Sequence, residues 1–119
     1  MPEIKTHAGG CHCGRVRFEA DTDLAMVAGC NCSICTKRGA LWNFVKAPQF
    51  RLLKGGETLT DYQFAKKTIH HLFCPNCGVG AFSRGIAPNG EDTYAVNVRC
   101  LDDVDVTQLT IRPFDGKKL

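Results

Sequence analysis

The chain has 119 residues, 44% of them apolar, with 12 glycines, 5 prolines and a formal charge of +3. That suffices for one domain with an ordinary hydrophobic core and is too little for two, so a single domain over residues 1–119 is expected. Apolar runs of only a few residues exclude a helical membrane span. The opening Met1-Pro2-Glu3-Ile4-Lys5 lacks the apolar stretch of a secretory leader, which points to a cytoplasmic protein.

In chain order the pattern is mostly β. Residues 15–20 alternate and predict a strand with Val16, Phe18 and Ala20 on one face. Asp21, Thr22 and Asp23 then predict a turn. Leu24 to Ala28 is a short apolar lead into a cysteine cluster, and residues 30–38 read as a loop with one helical turn. Residues 40–46 predict a buried strand that Pro48 breaks. Residues 50–53 and 58–64 predict two strands joined as a hairpin across Lys54-Gly55-Gly56-Glu57. Strands over 68–73 and 79–83 flank a second cysteine pair. Pro88-Asn89-Gly90 is a turn. Residues 94–100 alternate again, with Tyr94, Val96 and Val98 facing one way. Residues 102–109 suit a short helical piece and 110–112 a last edge strand. No segment holds a 3.6-residue period over three turns. The fold class is therefore mainly β, with small curved antiparallel sheets tied together by metal knuckles.

Eight cysteines in this length are the compositional departure. Cys11 and Cys13 are separated by one residue, as are Cys30 and Cys32, with Cys35 two residues further on; Cys74 and Cys77 form a CxxC. Such tight spacing suits a shared metal ion better than a disulfide framework, because metal-bound sulfurs must converge at about 2.3 Å from one centre. Seven clustered cysteines exceed one tetrahedral zinc and fall one short of two closed ones. Cys11-His12-Cys13-Gly14 and Cys74-Pro75-Asn76-Cys77-Gly78 both end in glycine, which permits the left-handed turn around a ligating sulfur. These four pair into a closed structural zinc site. Cys30, Cys32 and Cys35 remain as a second zinc site, either open at its fourth position and reactive or closed by Cys100, His70 or His71. Otherwise Cys100 reads as a small buried hydrophobe, His12 as exposed, and Trp42, Phe44 and Phe82 as core residues. Seven thiolates and two divalent ions would also cancel the formal +3, so the charge supports a polyanionic partner such as nucleic acid only weakly.

The order of these motifs, with the Gly55-Gly56-Glu57 turn before Tyr62, the Val96-Asn97-Val98 strand and Phe114-Asp115-Gly116 near the end, resembles the glutathione-dependent formaldehyde-activating enzyme family, also called the centromere protein V family. The resemblance runs over nearly the whole chain. It implies the β-tent fold first seen in a zinc-bearing accessory factor of Rab GTPases. It also implies a structural zinc on Cys11, Cys13, Cys74 and Cys77 and a catalytic zinc on Cys30, Cys32 and Cys35. The implied activity is that of a carbon–sulfur lyase forming S-hydroxymethylglutathione from glutathione and formaldehyde. Lys37 and Arg38, shortly after Cys35, are placed either to attract the carboxylates of a glutathione-like thiol or to form a solvated basic loop, and no residue stands out as a general base, His71, Ser33 and Asp61 being the candidates. The expected partners are a small thiol and a small aldehyde, with neither membrane nor nucleic acid. Two rival readings use the same residues: a zinc-stabilised β module that binds thiols or docks on a macromolecule, with Lys37-Arg38 and Lys66-Lys67 as its basic runs, and a redox protein on the β-tent scaffold with Cys100 as its reactive thiol.

Overall fold

The computed structural model describes residues 3–64, 67–87 and 89–115. In chain order the elements are β1 (Lys5–Gly10), β2 (Arg17–Thr22), β3 (Val27–Cys30), α1 (Ser33–Arg38), β4 (Trp42–Lys46), β5 (Phe50–Lys54), β6 (Thr60–Tyr62), β7 (His70–Phe73), β8 (Phe82–Ile86), β9 (Asp92–Asn97) and β10 (Ile111–Phe114). The fold is mainly β, in two sheets. A three-stranded antiparallel sheet has the order β1-β2-β5, and a seven-stranded sheet has the order β10-β3-β4-β9-β8-β7-β6. The seven-stranded sheet is antiparallel except where β10 runs parallel to β3. Among the described residues no helix is long and apolar enough to cross a membrane.

The core forms where the two sheets face each other. Strand alternation in β2 turns Phe18 and Ala20 inward, and the strand register places Phe82 beside Val96 on the facing sheet. Four rings meet there. Phe50 stacks on Tyr94 at 4.3 Å between centroids, lies 4.8 Å from Phe82 and packs 5.4 Å from Phe18. Each such pair contributes about 0.5–1.5 kcal/mol beyond its buried area. The same alternation sends the other residues of the large sheet to its opposite face. Phe44, Ala95, Ser83, His71 and Tyr62 stand side by side in register across β4, β9, β8, β7 and β6. Phe44 is therefore half exposed (50%) and is not a core residue, because it shares a face with Ala95 and not with Val96.

Several local expectations change in the folded chain. Residues 5–10, which lack alternation, form β1, pairing Lys5 with Thr22 and Thr6 with Asp21; Asp21 and Thr22 thus belong to β2, and the turn follows them. That turn is held by Leu24 N–H on Thr22 Oγ1 (3.1 Å) and Ala25 N–H on Asp23 Oδ1 (2.9 Å). The hairpin across Gly55-Gly56-Glu57 does not exist. β5 pairs with β2 and β6 with β7, so this segment is a crossing between sheets that includes a 3-10 turn. Gly55 sits at φ +90°, and a Cβ there would lie 2.3 Å from the carbonyl oxygen of Arg15, so the crossing needs glycine. β8 starts at Phe82 and not at Val79, because Val79 C=O accepts from Cys74 N–H (3.1 Å) and closes the knuckle. β9 ends at Asn97, whose Oδ1 accepts from Arg99 N–H (3.2 Å) and draws residues 98–100 into a 3-10 turn. The turn after β8 includes Gly90 at φ +87°; Pro88, Lys66 and Gly116 lie outside the described residues.

Candidate metal centres

The first cysteine group is built by two loops of the same design. Cys11 and Cys13 lie between β1 and β2, and Cys74 and Cys77 between β7 and β8. Each loop turns on a left-handed glycine, Gly14 at φ +84° and Gly78 at φ +79°. Gly14 N–H donates to Cys11 C=O (3.3 Å) and Gly78 N–H to Cys74 C=O (2.8 Å). Val16 N–H points at Cys11 Sγ (3.3 Å), the amide-to-sulfur contact common around ligating cysteines. The four sulfurs all lie within 4.8 Å of one another and could hold a metal ion. Two of the spacings, Cys11–Cys13 and Cys13–Cys74, are 3.6 Å. Sulfurs about 2.3 Å from a tetrahedral zinc would be about 3.8 Å apart, so the cage is the right size for that ion. A hydrogen bond with Asn76, helped by the backbone at Arg15, lowers the Cys13 pKa to about 6, which also favours ligation.

The second group is Cys30, Cys32 and Cys35, whose sulfurs again lie within 4.8 Å of one another. Cys30 ends β3, Cys32 caps α1 and Cys35 lies on the inner side of that helix. α1 is a six-residue helix that stops at Gly39, a left-handed residue (φ +68°) whose N–H closes on Cys35 C=O (2.9 Å). The parallel strand β10 supports the loop from outside, with Asn31 N–H on Phe114 C=O (3.1 Å) and Asn31 Nδ2 on Asp115 Oδ1 (2.9 Å). Cys32 N–H points at Cys30 Sγ (3.4 Å), and the buried indole of Trp42 donates to Cys35 Sγ (3.2 Å). Burial pushes the Cys35 thiol up to about 12, and the Trp42 N–H acts against that. At Cys32 burial also raises the pKa, but the amides of Cys35 and Ile34 and the neighbouring thiols outweigh it, so its pKa is lowered. Among the described residues no fourth His, Cys, Asp or Glu joins this group.

Residues 6–114 match the family described as glutathione-dependent formaldehyde-activating enzyme. The chain belongs to this family. A crystal structure of a Rhodobacter sphaeroides protein is similar to it at 34% identity and a TM-score of 0.78, covering 89% of this chain and 97% of that one. In this family member the remaining residues raised by the sequence separate clearly. His70 is engaged by Asp61 (Nδ1 to Oδ2, 2.5 Å). His71 is buried and stacks on Phe64 at 5.3 Å, and burial followed by the charge of Arg38 lowers its pKa, favouring the neutral imidazole. His12 and Ser33 are exposed. Cys100 stands in the 3-10 turn after β9, half-buried, outside both sulfur groups, with its thiol pushed up to about 11 by burial. A thiol so hard to ionise is a poor redox nucleophile. Lys37 is exposed, whereas Arg38 is half-buried. Phe82 is in the core. The role of Trp42 at Cys35 was not foreseen, although a lone tryptophan in a strand just after a cysteine cluster carries a signal: a buried indole N–H needs an acceptor.

Proposed function

We propose that this protein is a zinc-dependent carbon–sulfur lyase-type enzyme, one domain over residues 1–119, that adds a glutathione-like thiol to a small aldehyde. The observation that carries this reading is the three-sulfur group of Cys30, Cys32 and Cys35, which has no fourth protein ligand among the described residues. In this reading Cys11, Cys13, Cys74 and Cys77 enclose a structural zinc and Cys30, Cys32 and Cys35 hold a second, with a place left for substrate. Zinc bound there would supply the positive charge that makes ionisation of an entering thiol easy near neutral pH.

The chain's own residues supply the rest. Cys32 immediately precedes the short α1 and Cys35 lies within it, and Trp42 fixes Cys35 against the sheet. Lys37 and Arg38, in the last turn of α1, contribute positive charge toward a thiol that carries carboxylates, as glutathione does. In the reaction the thiol loses its proton and its sulfur forms a bond to the carbonyl carbon. The carbonyl electron pair moves to oxygen, which takes up a proton. The product is a hemithioacetal, S-hydroxymethylglutathione when the aldehyde is formaldehyde, and the reverse reaction breaks the same C–S bond. No electrons are gained or lost. Seven cysteines in ligating groups suit a reducing, cytoplasmic compartment.

The test uses protein with cobalt(II) in place of zinc. Added glutathione is expected to change the visible cobalt absorption, and formaldehyde added with it to raise the rate of hemithioacetal formation above the uncatalysed rate. A spectrum indifferent to glutathione would contradict the proposal.

A further inference from the structure

A cavity of about 290 Å³ opens between the two sheets. Its floor is the ring core, formed by Phe50, Phe82 and Tyr94. Its walls are Leu52 of β5, Leu59 of the crossing and Leu72 of β7. Arg84 of β8 is the one charged residue that lines it among the described residues. Leu52 is 39% exposed and the Arg84 side chain 47%, so these two stand at the mouth. On β9, Tyr94 lines the cavity while the next residue, Ala95, turns to the other face and packs against the three-sulfur group. A ligand held in the cavity is therefore separated from Cys30, Cys32 and Cys35 by the large sheet.

Arg84 differs from the other arginines of the sheets. Arg17 and Arg51 are each tied to a carboxylate by two hydrogen bonds. Arg84 makes no hydrogen bond among the described residues, and its partner Asp92 stands off at 3.6 Å, beyond hydrogen-bond length. A concave apolar site with one cation at its mouth, its guanidinium donors still unused, matches an apolar molecule that ends in a carboxylate. The volume lies at the lower end of small-molecule sites, which run from about 300 to 1,000 Å³. It admits a short chain or a single ring and is too small for a long-chain lipid. With Asp92 beside it, one arginine suits a single negative charge and not the double charge of a phosphate ester.

We propose that this cavity is a binding site for a small apolar monocarboxylate, whose body lies on Phe50, Phe82 and Tyr94 and whose carboxylate accepts from Arg84. The site is independent of the proposed reaction at the cysteines.

The experiment titrates the full metal-loaded chain with octanoate, octanol and octylammonium, and follows the methyl NMR signals of Leu52, Leu59 and Leu72. Octanoate is expected to shift these signals saturably, with octanol binding more weakly and octylammonium more weakly still. Arg84→Gln is expected to weaken octanoate on the order of tenfold, the scale of one hydrogen bond to a charged group, and to leave octanol unchanged. Asp92→Asn removes the competing carboxylate and is expected to tighten octanoate; it decides the matter alone if Arg84→Gln does not fold. No saturable shift of those methyls with octanoate, equal affinity for octanol or octylammonium, or folded variants that both bind octanoate as the parent does would overturn the inference.

Discussion

At Cys35 two demands conflict. The sulfur is the most buried of its group, which opposes the thiolate that metal binding requires, and the Trp42 indole N–H at 3.2 Å supplies part of the lost solvation. Trp42→Phe keeps most of the apolar volume and removes the donor. Partners of this kind typically govern metal affinity by about 10- to 100-fold. Competition with a coloured chelator is therefore expected to show the second centre weakened on that scale while the four-cysteine centre keeps its affinity. Equal affinity in variant and parent would mean the contact has no role in ligation. The sulfur spacing of this residue set is legible in sequence. The indole contact is not, because it depends on which face of β4 meets α1, and that is fixed by the pairing of β4 with β9.

Among the elements, the three-stranded sheet depends most on side-chain charge. Asp21 on β2 accepts from Thr6 on β1 (2.7 Å) and takes both Nη atoms of Arg51 on β5 at 2.8 and 2.9 Å, so one carboxylate ties all three strands. Arg51, followed by Thr6, holds its pKa near 2 against an ordinary 3.8. Because the folded value is the lower one, the carboxylate contributes stability above about pH 4 and loses it as pH falls through 2. Asp21→Asn is expected to lower the urea midpoint at neutral pH, with the gap to the parent closing between about pH 4 and pH 2. A gap that stayed constant through that range would exclude the ion pair as its source. The alternation of β2 is readable directly, since it buries alternate side chains, and the apolar residues of β4 and β9 mark those strands as well. β1 is not readable, because its buried positions are His7, Gly9 and Gly10, which carry no hydrophobic signal. The connection after β5 is misread for a different reason: glycines announce a turn, but local chemistry cannot say whether the strands on either side pair with each other or enter different sheets.

For the whole molecule, the first sulfur group joins the β1–β2 loop of the small sheet to the β7–β8 loop of the large one, positions 61 residues apart in the case of Cys13 and Cys74. Its Cys11 and Cys74 belong to the same buried cluster as Phe18, Phe50 and Phe82. The second group sits outside that core, between α1, β3 and β4, with Ala95 of the outer sheet face packed against it. In the proposed reading one centre would contribute to folding, where structural zinc is worth on the order of 10 kcal/mol, while the other would be free to exchange a ligand. That division is the central claim. It is tested most directly by X-ray absorption at the zinc edge on protein of measured zinc content. The account predicts two zinc ions per chain sharing seven sulfurs, with a lighter fourth ligand at one of them that added thiol replaces by sulfur. One zinc per chain, or two that are each surrounded by four sulfurs before any thiol is added, would contradict it.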